Sequence, residues 1–324
     1  MKYLAPTMPR QRGAALLLAL LTVALVATMA AAALWQQWRT IEIEARERER
    51  VQAAWVLIGA LDWARLILRE DARSGGPDHL AEPWSIALRE ARLSTFLAMD
   101  PGDSSLGDDV FLSGQITDAQ ARLNISNLIL GNQVSQADRD AFARLFVQLG
   151  IELAELDTLV DKLLLATGSS DKAADANVPV PLYPQRFAQL AWLGLSARSL
   201  ALLEPYVAVL PTRTQLNLNT ASAQAMAARI EGVDLSDARN LVQARNRTPF
   251  RTLAEVGRLL PSAERLDPSQ VGVASRFFEV QGHLRLRDAD VFERSLVQRN
   301  GLSVTTVWRE RSAGGPGQAT GEQR

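Results

Sequence analysis

Residues 10–35 read RQRGAALLLALLTVALVATMAAAALW. From Ala14 to Leu34, 21 residues, there is neither a charge nor a proline. At about 1.5 Å per helical residue that run spans roughly 30 Å, the thickness of a bilayer core. The flank before it carries Lys2, Arg10 and Arg12 and no acid. The positive-inside rule therefore keeps the N-terminus in the cytoplasm and sends everything after Leu34 outside. Ala31–Ala33 would suit signal peptidase, but the apolar run is longer than the ~7–15 residues of a signal-peptide core. An uncleaved single-pass anchor is the other plain reading. Gly13 stands between the basic flank and the apolar run, which opens a third: a segment cut and then kept.

The helical pattern does not stop at the membrane. Trp35 and Trp38 fall where an interfacial aromatic belt belongs. Glu42–Arg46 and Glu44–Arg48 are i,i+4 pairs with the acid on the N-terminal side, the favourable orientation. Leu57, Leu61, Ala64 and Leu68 then recur at helical spacing, so one face turns apolar and packs on a domain. Gly75, Gly76 and Pro77 stop the helix. A single helix from Ala14 to Arg73 would be roughly 90 Å long.

Beyond it, residues 83–98 read as a second helix, and VFLSGQITD begins as a strand with a tight Ser113-Gly114. At the other end, Leu284 and Leu286 alternate with Arg285 and Arg287, followed by the turn Asn300-Gly301 and the β-rich VTTVW. Strands at both edges with helical sequence between them indicate an α+β domain carrying a helical insertion from about Leu128 to Ser275. Within it, DRDAFARLFVQLG and LAELDTLVDKLLLATG are amphipathic helices ending at Gly150 and Gly168. Residues 217–260 resemble a helix-hairpin-helix unit. Thr220 or Ser222 caps its first helix, Gly232 turns the chain, Ser236 caps the second and Pro249 ends it. Arg239, Arg245 and Arg247 could meet phosphate, but Asp234 stands where such hairpins hold a second glycine. The tail, residues 312–324, has no core residues and is expected to be disordered.

Composition narrows the function. The chain has 324 residues, 47% apolar and 22% charged, a net charge of −1 and no cysteine. It can bury a core; it has no thiol chemistry, disulfide or cysteine-type zinc site. Its charge gives no reason to expect nucleic acid. His79 and His283 lie in no catalytic motif, and GxSxG, P-loop and HExxH patterns are all missing. An enzyme is not expected.

Taken together, the Gly13 leader, Leu18, GQITDAQARLNISNL, LPTRTQLNLNTASAQAMAARI, NRTPFRTLAEV and SRFFEV resemble the minor pseudopilin K family of type II secretion systems. The resemblance runs from Gly13 to about Arg309. It implies a pilin-like fold: a long N-terminal helix on a small antiparallel sheet, with a large α-helical domain inserted before the C-terminal strands. By that resemblance, residues 1–13 are a prepilin leader and 14–34 the transmembrane half of helix one. Residues 35–127 are its periplasmic half and the first part of the pilin-like domain, 128–275 the inserted domain, and 276–311 the C-terminal strands. Prepilin peptidase would cut between Gly13 and Ala14. Relatives usually carry glutamate at the fifth mature position to neutralise a neighbour's N-terminal amine; here it is Leu18. A subunit without that carboxylate suits the tip, since an unpaired charge in an apolar medium is costly. Leu18, Trp35 and Trp38 would serve anchoring and assembly. The resemblance further implies an inner-membrane protein that joins minor pseudopilins I, J and H and major pseudopilin G. Its acid-rich calcium loop is only partly matched, by Asp161, Asp171 and Asp175, with Leu164 and Ala166 in place of two acids; calcium needs six to eight oxygens. The competing readings are a membrane-anchored extracytoplasmic DNA-binding protein and a tip pilin of another type IV pilus-like machine.

Overall fold

The computed structural model describes residues 12–93, 110–168, 180–260, 266–286 and 289–313. Helix α1 runs from Arg12 to Ser74, and Gly75 and Gly76 end it with φ of +66° and +117°, backbone angles that side chains with a Cβ rarely adopt. The chain forms two compact units, residues 1–55 and 56–324. In the first, the helix stands alone: its apolar side chains, Leu16 to Leu34 among them, are exposed. This is the one helix among the described residues long and apolar enough to cross a membrane. The expected surface pairs form, Arg46 on Glu42 and Arg48 on Glu44, each at 2.8 Å.

In the second unit, the last turns of α1 lie on a sheet. The chain leaves α1, makes one 3-10 turn at Pro83–Ser85 and enters β1 (Leu88–Arg92), then β2 (Val110–Asp118). The helix expected over 83–98 is therefore a turn and an edge strand as far as it is described; residues 94–98 lie outside the described residues. Its charged and apolar residues satisfy a helical period locally, but pairing of Leu88–Arg92 with Phe111–Gly114 outweighs that weak preference. Nor do Ser113 and Gly114 turn the chain. Both lie inside β2, and the glycine is needed because a Cβ there would come within 2.7 Å of the Gln281 carbonyl oxygen.

After β2 the chain leaves the sheet and returns only at Phe277. Among its described residues the excursion holds three two-stranded ladders: β3 (Leu123–Asn124) with β6 (Val207–Ala208), β4 (Ile129–Leu130) with β5 (Gln133–Val134), and β7 (Leu216–Asn217) with β8 (Val271–Gly272). Its helices are α2 (Gln136–Leu149), α3 (Leu153–Ala166), α4 (Ala197–Leu203), α5 (Ala223–Arg229), α6 (Leu235–Arg247) and α7 (Leu253–Gly257). Gly150 closes α2 in the left-handed region, the usual end of a helix. One apolar core runs from Leu123 and Ile125 through Phe142, Phe146, Leu159 and Met226 to Phe250 and Val271. The helical body thus opens ahead of Leu128.

The hairpin of α5 and α6 is held by specific polar contacts. Ser222 caps α5, accepting from the Ala225 N–H. The cap of α6 is Asp234, accepting from the Asp237 N–H at 2.8 Å, rather than Ser236, since the helix begins at Leu235. Asn219 brackets Phe250: its Oδ1 accepts from the Phe250 N–H and its Nδ2 donates to the Phe250 carbonyl, both at 2.9 Å. The buried Arg245 donates to the Leu218 carbonyl at 2.7 Å; burial pulls its guanidinium down to about 10.

The sheet is completed by β9 (Phe277–Leu286), β10 (Ala289–Asn300) and β11 (Ser303–Ala313), in the order β1-β2-β9-β10-β11 and antiparallel throughout. The turn at Gly301 joins β10 to β11 as the sequence predicts. One face meets α1: Leu61, Ala64 and Leu68 pack with Trp84, Ile116, Phe278, Val280 and Val297. Gly114 and Gly282 are cross-strand partners, and a Cβ on Gly282 would touch the Leu57 methyl at 3.0 Å. The other face meets the excursion through Phe277, Leu296, Ala119, Ala208 and Leu210, as the alternation of strand side chains requires.

Two stability predictions follow from these contacts. Gly114→Ala should destabilise the second unit by about 1–3 kcal/mol, because rigid backbone faces the new methyl. Gly282→Ala should cost less, and Leu57→Ala should reduce its cost further; thermal melts of the single and double variants measure the coupling. Asn219→Ala should cost roughly 2–4 kcal/mol by leaving the buried Phe250 N–H and carbonyl unpaired, read by denaturant titration.

Candidate functional site

Two regions among the described residues are candidates for function: the exposed helix and the neck where the helical body joins the sheet. On α1, Gly13 and Ala14 lie in the first turn and Leu18 one turn later. Leu18 is exposed, as are Trp35 and Trp38, whose rings are 5.8 Å apart. Nothing among the described residues of the first unit covers this surface, so its apolar side chains are available to a bilayer or to other helices.

The neck is built around two buried carboxylates. Asp118 ends β2 and is 5% exposed. Its Oδ1 accepts from the Gln120 N–H, and its Oδ2 accepts from Asn217 Nδ2, Thr220 Oγ1 and Ser275 Oγ. Burial pushes this carboxyl up, and the four hydrogen bonds oppose that. Asp78, 2% exposed, follows α1. It accepts from the Ser275 N–H and from Arg299, and its own N–H donates to the Val273 carbonyl at 2.9 Å. Asn217 also donates to the Asp78 carbonyl. Departure from β2, the β7 segment and the return to β9 are thereby tied at one point. The first asparagine of LNLN thus belongs to the neck and the second to the hairpin. Asp78 and Arg299 sit in no segment that the sequence singles out; Asp118 and Ser275 fall within GQITDAQARLNISNL and SRFFEV, but nothing local says that these residues, far apart in the chain, meet.

On the sheet's other face, Glu279 accepts from Arg122 and from Arg294. Burial opposes its charge, but hydrogen bonds and charge from the two arginines overcome it and hold the carboxyl at about 2.

The sequence predicts no enzyme and a partly matched calcium loop. Ser113 Oγ lies 3.5 Å from His283 Nδ1, and His283 Nε2 contacts Asp290. This superficially matches a nucleophile, base and orienting acid. However, Ser113 and His283 are directly paired residues on neighbouring strands in the middle of the sheet. The His283 ring is stacked on Phe292 at 4.0 Å, a packing role. At the hairpin, Asp234's carboxylate occupies the N-terminus of α6, where a phosphate would bind, and Arg245 is turned inward while Arg239 and Arg247 are exposed. Of the calcium residues, Asp161 is exposed on α3 and belongs to no metal-sized group of three ligands among the described residues. Asp171 and Asp175 lie outside the described residues. At the neck, carboxylate oxygens of Asp71, Asp78 and Glu82 lie within 4.8 Å of one another; Arg299 bonds two of the three, so a guanidinium is the resident cation.

Comparison with known proteins agrees with this architecture. Family models described as type II secretion system (T2SS), protein K match residues 121–212 and 216–274, both inside the excursion. Type II secretion system protein K of Klebsiella pneumoniae is 30% identical, over 93% of this chain and 96% of that protein. The protein of the same name from Pseudomonas aeruginosa is 28% identical over 89% of each, and that of Pectobacterium carotovorum 28% identical over 93% and 96%. A chain of the GspK-GspI-GspJ complex from the enterotoxigenic Escherichia coli type 2 secretion system superposes with a TM-score of 0.64 at 17% identity. The match covers 83% of this chain and 98% of that one, and shows the shared pilin-like fold. With a relative at 30% identity along nearly its whole length, the chain belongs to the type II secretion system protein K family.

Proposed function

We propose that this chain is a minor pseudopilin that stands at the tip of a type II secretion pseudopilus and helps begin its assembly, so that folded proteins can be exported across the outer membrane. The observation that carries this reading is Leu18, an uncharged residue at the fifth position after Gly13, on an exposed apolar helix. With no carboxylate there, the subunit has nothing to offer the N-terminal amine of a subunit ahead of it. Prepilin peptidase cuts between Gly13 and Ala14; Ala14–Leu34 stays in the inner membrane with the N-terminus cytoplasmic, and the bulk of the chain is periplasmic. The partners are minor pseudopilins I and J, supported by the complex from which the structural relative comes, with H and the major pseudopilin G joining them. The chain catalyses no reaction. Its calcium loop is weakened, because Leu164 and Ala166 replace two of the oxygen ligands that calcium requires.

Intact mass and N-terminal sequencing of the membrane-purified protein, made together with its peptidase, should give a chain beginning at Ala14. Gly13→Val should leave Met1 in place. A soluble chain beginning near Leu34 would overturn the pseudopilin reading. Co-expression with minor pseudopilins I and J should give a stable complex that survives purification; recovery of each protein alone would remove the partner assignment.

A further inference from the structure

The neck contains more negative charge than it can balance. Arg299, on β10, donates Nη1 to Asp71 and Nη2 to Asp78 and to the Ser275 carbonyl. Its guanidinium also lies 4.8 Å from the centre of the Phe278 ring. Glu82 is the third acid within 4.8 Å of Asp71 and Asp78, and its Oε2 accepts from the His79 N–H and Trp84 Nε1. Asp118 adds a fourth carboxylate through Ser275, which bonds both Asp78 and Asp118. The groups facing this cluster can be named element by element. Helix α1 contributes Asp71, while Glu70 and Arg73 pair with each other at its surface. The following loop contributes Asp78, His79 and Glu82. β2 contributes Asp118, the return segment Arg276 at the rim, and β10 Arg299. Asn217 and Thr220, from the helical body, are neutral. One buried guanidinium thus bonds Asp71 and Asp78, while Glu82 adds a third acid beside that pair with no cation of its own among these contacts, in surroundings that weaken the screening by water.

We propose that this cluster is a proton-operated clasp, in which uptake of one proton by the Asp78–Glu82 pair tightens the joint between the sheet and the helical body. Proton uptake removes one negative charge beside Arg299, and the remaining carboxylates then share the guanidinium with less mutual repulsion. Burial is the largest cause acting on both acids, taking Asp78 up to about 6 and Glu82 up to about 7 against the pull of their hydrogen bonds. Both carboxyls hold protons more tightly folded than unfolded. Their contribution is therefore fully present below the unfolded range near 4 and is lost as pH rises through about 6 to 7. Glu279 works in the opposite sense, but its contribution is lost only as pH falls from 4.5 towards about 2. His79, which burial holds below the usual imidazole range, also opposes the two acids and does so inside the interval from pH 5 to 8. The profile is therefore read in a His79→Asn background as well as in the wild type.

The experiment is hydrogen exchange on the full chain in detergent micelles between pH 5 and 8, corrected for intrinsic exchange rates. It follows the amides of Asp78, Ser275 and Arg276, all bonded across the neck. Their opening constant should rise about 10-fold over that interval, while amides in the α2–α5 core stay level. Glu82→Gln keeps an acceptor for His79 and Trp84 and mimics the protonated acid, so it should flatten the profile and hold these amides closed at pH 8. Glu70→Gln, in a surface pair, should leave the slope intact. A flat profile in the wild type and in His79→Asn alike, or an unchanged slope in Glu82→Gln, would overturn the proposal. Should Glu82→Gln fold poorly, carboxyl carbon-13 titration of the wild type decides instead: Glu82 must titrate well above ordinary glutamates.

Discussion

Burying Asp118 constrains the whole second unit. A carboxylate withdrawn from water is tolerable only if donors meet its oxygens, and here the four donors come from three stretches of chain: Gln120 beside it, Asn217 and Thr220 in the helical body, and Ser275 at the return to the sheet. Those stretches must converge for the charge to be buried at all. Once they do, β2 and β9 are held in register from Val110–Leu286 to Asp118–Phe278. The glycine pair Gly114–Gly282 then falls beneath Leu57, and the apolar face of α1 has a surface to cover.

This arrangement explains how a pilin-like frame can carry a second body without losing its sheet. The excursion begins and ends on neighbouring strands, so from the sheet's standpoint it is a long loop, and long loops add closure entropy only slowly. It has its own core and touches the sheet's second face through a small apolar cluster around Phe277 and Leu296. Two faces of one sheet are thereby assigned to two tasks: α1 on one, the helical body on the other.

Much of this was legible in the residues. The helical spacing of Leu57, Leu61, Ala64 and Leu68 marked the buried face of α1, and the Leu284–Leu286 alternation and Asn300-Gly301 turn marked the last strands. The LNLNTA and Pro249-Phe250 segments signalled a specific structure, whose reason is now visible in the Asn219–Phe250 bracket. What could not be read has a common cause. β1 has the composition of a helix and becomes a strand because β2 lies beside it; Gly114 looked like a turn and is a response to the Gln281 carbonyl. The neck unites Asp78, Asp118, Ser275 and Arg299, residues whose significance lies wholly in who meets them. Long-range pairing overrides local preference at each of these places.

The separation of β2 from β9 also dictates the order in which the chain can acquire its structure. Synthesis runs from α1 onward, and β2 is present long before the strand that must lie next to it. Until β9 arrives, β2 has only the short, bulged β1 as a neighbour, and the apolar face of α1 has no sheet to cover. The helical body, whose contacts are mostly nearer in sequence, can organise first and bring the ends of its own chain together, after which the last hairpin completes the frame. Nascent subunits therefore spend an interval with a strand edge and a helix face uncovered, the features that favour wrong association. Closure of the frame by the C-terminal strands is the late, non-local step expected to limit the rate of maturation.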